Sequence, residues 1–326
     1  MTERLPHIFV TMGDIHGVGP EVTLKALQKV LPERRAIFTL VGVKKVYDHY
    51  RELLGIRLPQ AADEEAGPEA LRFMDQENLD VGPFRPGTVS RKVGHASVAF
   101  IHAALQRIQH IRKGALVTAP IAKEAIWRAG FLFPGQTELL ADYFGIKNFA
   151  MMLVSGPFRV AFVTTHLPLK DVPAAVTQEQ VVRKVLTVRD DLRRRFRVKR
   201  PKFALAALNP HGGERGMLGR EEMEVLMPAV QELQERRVAI EGPFPADTLF
   251  TPERIRRHDV FVALYHDQGM IPIKMHAFGK AVNYTAGLPV VRTSPDHGTA
   301  FDIAGKGVAD ESSMVEAIHL AIELVH

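Results

Sequence analysis

The chain has 326 residues, of which 46% are hydrophobic and 24% charged, a composition typical of soluble globular proteins. Its 42 basic and 37 acidic residues give a formal net charge of +5, a mild excess that can steer anionic substrates but does not indicate nucleic-acid binding. The sequence contains no cysteine, which excludes disulfides, thiolate catalysis and cysteine metal sites. It opens without a secretory leader, and no apolar run reaches the roughly 20 residues that cross a bilayer, so we expect a cytoplasmic protein that contacts no membrane.

Strand-like apolar runs alternate with helical periodicity along most of the chain, and this order predicts an α/β architecture with a largely parallel sheet. A first helix is predicted over 20–31 and a second over 98–108. "ALVTAP" (115–120) is predicted as a short buried strand. "AMMLVSG" and "FRVAFVTTH" are predicted as two strands joined at Gly156 and Pro157.

Two capping boxes predict where later helices begin. Thr177 with Gln180 begins a helix that runs to about Phe196, and Ser313 with Glu316 begins the last helix. The basic stretch "RRRFRVKR" lies at the end of the first of these two helices, and we interpret it as a solvated helix end.

The glycine-rich stretch "GDIHGVG" precedes the first predicted helix, with glycines at Gly13, Gly17 and Gly19. A dinucleotide fingerprint needs G-x-G-x-x-G with an acid about 20 residues further on, and a P-loop ends in Gly-Lys-Ser/Thr, so the stretch matches neither. What remains is a turn between a strand and a helix whose N-terminus favours anions. The loop either contacts a ligand or is a purely structural turn, and its residues alone leave both open.

Three histidines each follow an apolar strand-like run. "RVAFVTTH" ends at His166, "KFALAALNPH" at His211 and "DVFVALYH" at His266. In open α/β sheets, ligands bind outside the carboxyl ends of the strands, so these side chains can converge on one point. Because three imidazoles leave open positions on Zn²⁺ or a similar ion, the pattern predicts a catalytic metal centre. The alternative is that each is a hydrogen-bonded histidine near a strand end.

Other polar residues stand close to these histidines in the sequence. Asp247, in "FPADTLF", and Asp267 could orient an imidazole or join the metal ligands. Lys274, Asn283 and Arg292 lie in or beside short apolar runs, where a lysine and an arginine pointing into a cleft would suit a carboxylate or a phosphate. The alternative for these residues is a salt bridge at a strand edge.

Taken together, the segments resemble a known family. "TMGDIHGVGPEVTLKAL" is similar to the opening of the 4-hydroxythreonine-4-phosphate dehydrogenases and, more distantly, to the "GDGIGPEV" opening of isocitrate and isopropylmalate dehydrogenases. "RTSPDHGTAFDIAGKG" resembles both groups. Between them, the order of the first family is kept by "TAPIAKEAI", "FPGQTELLAD", "VTTHLPL", "LNPHGGERGMLGREE", "GPFPADTLF" and "YHDQGMIPIKM". The resemblance covers essentially the whole chain, and jointly the motifs are highly specific.

The resemblance implies a fold and an assembly. The fold would be of the isocitrate/isopropylmalate dehydrogenase type, with two α/β/α lobes and a cleft between them. Residues 1–128 and 290–326 would form the first lobe, on the cofactor side, and 129–289 the second, which holds the metal and the dimer contacts. The resemblance also implies a homodimer whose active sites use both subunits.

The resemblance assigns roles to residues as well. The family's metal-binding histidines match His166, His211 and His266. Its substrate contacts match Gln136, Thr137, Lys274, Asn283 and Arg292. By analogy with the wider superfamily, the cofactor contacts are His297, Gly298 and Thr299. Proton transfer is assigned to Lys274 or Asp247.

Two motifs depart from the family pattern. "GQTE" places Gln136 where the family usually has the histidine of "GHTE", and "GDIHG" stands where "GDPAG" is commoner. Glutamine can donate a hydrogen bond to phosphate or carboxylate, but it cannot carry a proton or a charge. The departures leave the reaction class intact and bear on the identity of the substrate.

The reaction implied by the resemblance is an NAD- or NADP-dependent oxidation of 4-phosphooxy-L-threonine, assisted by Zn²⁺, Mg²⁺ or Co²⁺. The 3-keto acid then decarboxylates to 3-amino-2-oxopropyl phosphate, on the route to pyridoxal 5'-phosphate. Relatives that act on 4-phospho-D-threonate, 4-phospho-D-erythronate or a terephthalate-derived diol share much of the framework. From the residues alone, a three-histidine metal hydrolase or hydratase, or an acyl- or phosphotransferase, also stays open.

Overall fold

The computed structural model describes residues 5–61 and 67–325. Its strands are β1 (His7–Thr11), β2 (Ile37–Gly42), β3 (Arg72–Asp75), β4 (Gly114–Thr118), β5 (Ala150–Ser155), β6 (Phe158–Phe162), β7 (Lys202–Ala206), β8 (Ala239–Phe244), β9 (Val260–Ala263), β10 (Val282–Ala286) and β11 (Val291–Pro295). Its α-helices are α1 (Gly19–Val30), α2 (Lys44–Leu53), α3 (Arg91–Ile108), α4 (Lys123–Arg128), α5 (Gln136–Tyr143), α6 (Val172–Ala175), α7 (Gln178–Arg194), α8 (Met227–Glu235), α9 (Ala246–Leu249), α10 (Pro252–Arg257), α11 (His266–His276) and α12 (Ser312–Leu324). Over the described ranges, no helix combines the length and the apolarity that a membrane crossing requires.

The chain folds into two compact units. The first consists of Met1–Leu140 and Pro289–His326, and the second of Ala141–Leu288. The sequence placed the first boundary after residue 128, whereas the structure assigns 129–140, with Gln136 and Thr137, to the first unit.

A parallel sheet forms the centre of the first unit, in the strand order β3-β2-β1-β4-β11. Thr11 of β1 pairs with Val41 on one side and with Thr118 on the other. Every residue of β1 and β4 after the first is buried, as is usual for parallel strands that are covered on both faces. Helices α3 and α12 pack against β4.

The second unit has the strand order β10-β5-β6-β9-β7-β8. Strands β5 and β6 form the predicted hairpin through Gly156 and Pro157, and they run antiparallel, as do β10 and β5. Strands β6, β9, β7 and β8 are parallel to one another. Their carboxyl ends therefore meet at one edge of the sheet.

Helix α11 lies directly on the parallel strands of the second unit. This close approach depends on Gly269, because a Cβ there would come within 2.6 Å of the Phe162 ring and 2.7 Å of Val160. Ile273, one turn further along, joins the apolar core formed with Phe162 and its neighbours. The packing of α11 thus sets the position of the residues at its two ends.

The two predicted capping boxes have different outcomes. Helix α7 begins directly after Thr177, whose side chain accepts a hydrogen bond from the Gln180 backbone N–H at 3.2 Å, as predicted. Helix α12 begins one residue before Ser313 and has no side-chain cap. The second prediction is wrong because Ser313 lies inside the helix, where its hydroxyl donates to Asp296 Oδ1 at 3.1 Å.

The sequence analysis interpreted the basic stretch at the end of α7 as a solvated helix end, but two of its arginines make contacts within the protein. The Arg194 and Arg195 guanidinium groups both donate to the Leu288 carbonyl, at 3.4 and 3.0 Å. The Arg195 side chain is only 11% exposed, and burial lowers its pKa. The first arginines of the stretch therefore tie the end of α7 to the end of the second unit.

Candidate active site

Candidate ligands follow the carboxyl ends of the four parallel strands in the second unit. Phe162 of β6 pairs with Ala263 of β9, and Leu205 of β7 pairs with Val262, so these strands end almost level. The segments that follow β6, β9, β7 and β8 contain, in this spatial order, His166, His266 at the start of α11, His211, and Asp247 in the first turn of α9. Each of these residues lies within five positions of the end of its strand. The topology therefore brings all of their loops to the same edge of the sheet.

His166 and His266 lie side by side. Their ring centroids are 5.8 Å apart and the rings are tilted by 39°. His266 is the first residue of α11, and its Nδ1 lies 2.6 Å from Asp267 Oδ1. A carboxylate only accepts hydrogen bonds, so the neutral tautomer that donates from Nδ1 to Asp267 is the one whose Nε2 keeps a lone pair. That lone pair is what His266 can offer to a metal ion.

His211 lies in a left-handed turn after β7, in the segment Pro210–Gly216. Its φ is +53°, and φ is also positive at the next four residues, which include Glu214 and Arg215. Residues with a Cβ avoid this conformation, so surrounding contacts must hold the turn in place. Backbone strain of this kind is concentrated at functional sites.

The donor set fits a divalent cation. Imidazole nitrogens suit Zn²⁺ and Co²⁺, and the Asp247 carboxylate suits Mg²⁺. Across the part of the chain that the structure describes, however, no three His, Asp or Glu side chains are grouped as the ligands of one ion. His166 and His266 are brought together, whereas His211 and Asp247 are not grouped with them.

Lys274 and Asn283 lie on two other parts of the second unit. Lys274 is half-buried near the end of α11, about 12 Å along the helix from its first residue. Asn283, on β10, has a buried Oδ1 with no hydrogen-bond partner among the described residues. A buried acceptor without a protein partner is exceptional, and a ligand or a water would satisfy it.

Arg292, on β11 of the first unit, is only 1% exposed. Its NH2 donates to Thr118 Oγ1 at 2.7 Å and to Gln136 Oε1 at 3.1 Å. Burial lowers the pKa of Arg292 to about 10, and the nearby Glu138 acts in the opposite direction. Arg292 is therefore a buried positive charge at neutral pH, and hydrogen bonds fix the direction of its guanidinium.

Gln136 and Thr137 begin helix α5. The Gln136 side chain is held at both ends, since Nε2 donates to the Ala119 carbonyl at 3.0 Å while Oε1 accepts from Arg292. Thr137 is buried, with 7% of its surface exposed. Gln136 thus orients Arg292, a role that its place in the motif did not reveal.

The loop after β11 contains the predicted cofactor contacts and lies against the opening glycine loop. The Thr299 carbonyl accepts from Val18 N at 2.9 Å, and a Cβ on Gly17 would lie 2.8 Å from the same oxygen. His297 Nδ1 lies 3.0 Å from the Gly298 carbonyl oxygen, and its Nε2 is buried without a hydrogen-bond partner in the described chain. Gly17 is therefore needed for the close packing of two loops, and the opening stretch is more than an isolated turn.

A buried ion pair ties helix α1 to the segment that follows the cofactor loop. Glu21 is fully buried and accepts from the backbone N–H groups of Gly307 and Ala309 at 3.2 and 2.7 Å. Lys25 donates to Glu21 at 2.8 Å and to the carbonyls of the same two residues. The spacing of Glu21 and Lys25 along a helix indicates a pair, but the sequence does not show what else the pair holds.

Asp14, in the opening loop, is fully buried. Burial raises its pKa to about 6, although the backbone amides of His16, Gly17 and Ala122 act in the opposite direction. Its Oδ1 accepts from His16 N at 2.9 Å, whereas Oδ2 makes no hydrogen bond of good geometry within the described residues. Sequence reasoning missed this group because only the fold shows that the carboxyl is enclosed.

Comparison with known proteins identifies relatives over the whole chain. The family model described as "Pyridoxal phosphate biosynthetic protein PdxA" matches residues 34–321. The chain is 40% identical over 318 residues to the 4-hydroxythreonine-4-phosphate dehydrogenase of Sulfurihydrogenibium sp. (strain YO3AOP1), with 97% of each protein covered. It is 39% identical over 341 residues to a protein of Bradyrhizobium diazoefficiens with the provisional name D-threonate 4-phosphate dehydrogenase, covering 99% of this chain and 97% of the relative.

Solved structures agree with these relatives. The 4-hydroxythreonine-4-phosphate dehydrogenase of Klebsiella pneumoniae has a TM-score of 0.86 at 36% identity, covering 100% of this chain and 99% of that one. The isocitrate dehydrogenase of Methylococcus capsulatus has a TM-score of 0.50 at 16% identity, covering 98% of this chain and 85% of that one, which shows the fold alone. The predicted isocitrate dehydrogenase-like α/β fold is thereby confirmed.

The fold and the relatives define the class of protein as an α/β dehydrogenase, an oxidoreductase. Within that class, the chain belongs to the PdxA family of pyridoxal phosphate biosynthesis. Membership in a dehydrogenase family decides against the hydrolase, hydratase and transferase interpretations that the residues alone had left open.

Proposed function

We propose that the enzyme oxidises the secondary alcohol of 4-phosphooxy-L-threonine with NAD or NADP as the hydride acceptor. The 3-keto acid then loses CO₂ and gives 3-amino-2-oxopropyl phosphate. The observation that supports this most directly is the placement of three histidines after neighbouring parallel strands, in a chain whose relatives bear the dehydrogenase name.

Three histidines would hold the divalent metal, namely His166, His211 and His266. When bound, the ion supplies Lewis-acid chemistry that lowers the pKa of the substrate hydroxyl and stabilises negative charge. The hydrogen bond from His266 Nδ1 to Asp267 keeps Nε2 available for this role. Zn²⁺, Mg²⁺ and Co²⁺ are the proposed ions.

The contacts to the substrate are assigned to Gln136, Thr137, Lys274, Asn283 and Arg292. In the first unit, the buried Arg292 holds phosphate or carboxylate, Gln136 fixes its direction, and Thr137 adds a hydroxyl. In the second unit, Lys274 provides a further positive charge and Asn283 offers a buried acceptor to a substrate donor. Because glutamine carries no charge and does not titrate, its side of the contact with Arg292 does not change with pH.

Proton transfer is assigned to Asp247 or Lys274. Oxidation removes a proton from the hydroxyl oxygen and a hydride from the carbon that bears this hydroxyl. The hydride goes to the nicotinamide. After CO₂ departs, the remaining enolate must be protonated at carbon, so one group must first accept and another must later donate a proton. Asp247 is exposed after β8 and Lys274 is half-buried on α11, so both are open to exchange with solvent.

The cofactor is assigned to the loop with His297, Gly298 and Thr299. In support, space is open above Gly298, where a Cβ would meet no atom within 4 Å. The opening glycine loop contacts this loop through the hydrogen bond from Val18 N to the Thr299 carbonyl. NAD and NADP are both proposed, because the sequence lacks the acid that usually contacts the ribose.

A homodimer with shared active sites is part of the proposal, as is a place in the cytoplasm. Helix α11 and the residues after it expose Ile271, Met275 and Phe278 at 57%, 84% and 85%. Ile271 and Met275 are four residues apart on one side of the helix, Phe278 follows the helix end, and exposed apolar side chains of this kind favour a partner surface. A second copy of the chain would cover these side chains and would therefore lie close to α11, the helix that begins with His266.

A second substrate remains a candidate within the same reaction. The provisional name of the Bradyrhizobium relative and the glutamine at position 136 both favour testing 4-phospho-D-threonate and 4-phospho-D-erythronate. These compounds keep the phosphate and the secondary alcohol but lack the amine. The framework described above would serve them equally.

The test is a set of parallel assays with purified enzyme. Each of the three phosphorylated compounds is incubated with NAD⁺ or NADP⁺ after chelation and after re-addition of Zn²⁺, Mg²⁺ or Co²⁺. Metal-dependent appearance of reduced nicotinamide with 4-phosphooxy-L-threonine is the expected result, and a faster reaction with an amine-free compound would transfer the assignment to that substrate. Absence of reduced nicotinamide with all three compounds would overturn the proposed function.

A further inference from the structure

The turn that contains His211 needs an external support. Residues 211–215 all have positive φ, between +45° and +79°, and only Gly212 and Gly213 among them lack a Cβ. Side chains disfavour this conformation at each of the other positions. Backbone hydrogen bonds at the turn include those of Gly212 N to the Asn209 carbonyl, Met217 N to the Glu214 carbonyl and Leu218 N to the Gly213 carbonyl, at 3.2, 3.2 and 3.1 Å.

Glu222 holds the residues that lead into this turn and lies against the middle of it. It is 3% exposed, and its Oε1 accepts from the backbone N–H groups of Leu208 and Asn209 at 2.8 and 2.7 Å. Its Oε2 accepts from the Asn209 side-chain Nδ2 at 2.9 Å. In the middle of the turn, Gly213 lies so close that a Cβ there would be 2.6 Å from Glu222 Oε2. The carboxylate therefore sits inside the loop that it holds.

The backbone around Glu222 is itself unusual. The segment Glu222–Leu226 is wound as a short π-helix before α8 begins. Single π-turns inside helices are rare and occur frequently at functional sites. Glu221, the residue before, also accepts from Asn209 Nδ2, at 2.7 Å. Glu221 and Glu222 thus both accept hydrogen bonds from the side chain of Asn209, the residue that leads into the His211 turn.

We propose that Glu222, with Asn209, is a positioning residue that sets the imidazole of His211 for metal binding. The inference rests on the proposed function, since it takes His211 as a metal ligand. Partners of metal ligands typically change metal affinity by about 10- to 100-fold when they are replaced. Glu222 acts through this left-handed turn, because it holds the backbone of Leu208 and Asn209, from which the turn and His211 follow directly.

Two pairs of variants test this proposal. Glu222→Gln keeps the size of the side chain but places an NH₂ group against the Asn209 NH₂ group, and Glu224→Gln is its control on the exposed side of the same segment. Gly213→Ala pushes the turn off the Glu222 carboxylate, whereas Gly212→Ala has a similar φ of +66° and a Cβ that meets nothing within 4 Å. The second pair separates backbone strain alone from crowding against Glu222 Oε2 and, at 3.0 Å, the Gly219 carbonyl, and Glu222→Gln then tests the Glu222 contact by itself.

Two measurements are made on each variant. Titration with Co²⁺, followed by its visible absorption, reports metal affinity and coordination, and tryptic cleavage after Arg215, identified by mass spectrometry, reports release of the turn without any metal. We expect Glu222→Gln and Gly213→Ala to weaken Co²⁺ binding by about 10- to 100-fold and to speed cleavage. Glu224→Gln should match the wild type, and Gly212→Ala should be affected less than Gly213→Ala.

The outcomes separate this inference from the proposed function. If the wild type binds no Co²⁺, the metal centre itself is overturned, and the positioning role is overturned with it. If the wild type binds Co²⁺ and Glu222→Gln binds it equally well, only the positioning role is overturned. A lower melting temperature with unchanged affinity and unchanged cleavage after Arg215 would assign Glu222 a purely structural role and would likewise overturn the proposal.

Discussion

The Arg292 guanidinium donates to Gln136 Oε1 at 3.1 Å, and the amide nitrogen of the same glutamine donates to the Ala119 carbonyl at 3.0 Å. Gln136 is therefore a bridge between a buried cation and a backbone oxygen. This arrangement gives the departure from "GHTE" a physical meaning. A histidine could gain a charge beside Arg292, whereas glutamine stays neutral at every pH.

Gln136→Ala should weaken substrate binding more than the chemical step. The substitution leaves part of a buried guanidinium and the Ala119 carbonyl without partners, which costs about 1 to 3 kcal/mol. We expect KM for the phosphorylated substrate to rise about 10-fold or more while kcat changes less, since the contact is made in the ground state as well. Steady-state kinetics measure both constants.

Gln136→Glu is the matched comparison for this prediction. The added carboxylate would pair with Arg292 and compete with the anionic substrate, so KM should rise further than with Gln136→Ala. Equal KM values for wild type and both variants would show that Gln136 does not orient the anion contact.

Asp14 should make the stability of the protein depend on pH in a defined window. Its pKa is raised from 3.8 to about 6 in the folded protein, so the folded state binds the proton more tightly than the unfolded state. Below pH 3.8 both states are protonated, and above pH 6 both are ionised, so the cost of burying the charge develops as pH rises between these values. At neutral pH this cost is about 3 kcal/mol.

Urea unfolding of the wild type and Asp14→Asn at a series of pH values measures this effect. The stability of the wild type relative to the variant should fall by about 3 kcal/mol between pH 3 and pH 7. The change with pH is the informative quantity, because a buried Asn side chain adds its own, pH-independent cost. A difference that stays constant over this range would mean that Asp14 titrates normally.

Local patterns in the sequence were sufficient to predict many elements. The helix predicted over 20–31 is α1, and the hairpin at Gly156 and Pro157 is present, because each depends on neighbours in the chain. The Ser313 capping box failed because a distant partner, Asp296, engages the hydroxyl. A competing tertiary contact of this kind leaves no local signal.

In the candidate site, too, some residues could be predicted from the sequence and others are revealed only by tertiary contacts. His166, His211 and His266 could be selected from the sequence because the rule that strand ends share an edge needs only the order of elements. Glu222, Asp14 and the bridging role of Gln136 could not, since their importance depends on burial and on contacts between distant segments. The order of strands is enough to predict three histidines as metal ligands, whereas the contacts of Glu222, Asp14 and Gln136 are visible only in the structure.

Replacement of any of the three histidines should remove bound metal and turnover together. His211→Ala, His166→Ala and His266→Ala each delete one imidazole of the proposed centre, and a site with two remaining ligands holds the ion far less tightly. His276→Ala is the control, since this exposed histidine lies at the other end of α11. Metal content after dialysis and nicotinamide reduction are the two measurements.

The same variants can contradict the three-histidine centre. Retention of stoichiometric metal or of normal turnover in His211→Ala would remove this residue from the site. Loss of both properties in His276→Ala would instead indicate that damage to α11 in general, rather than loss of a ligand, accounts for the effect.

Gly269→Ala should displace helix α11 and, with it, the residues at both of its ends. A Cβ at this position would lie 2.6 Å from the Phe162 ring and 2.9 Å from Ala263, so the helix must move away from the sheet. Overpacking of this kind costs about 1 to 3 kcal/mol. Because His266 begins the helix and Lys274 lies near its end, we expect weaker Co²⁺ binding and a higher KM as well as a lower melting temperature.

Gly269→Val, with a larger side chain, should strengthen all three effects. A Gly269→Ala protein with wild-type stability and wild-type Co²⁺ affinity would show that the contact between α11 and the strands can relax without moving the site.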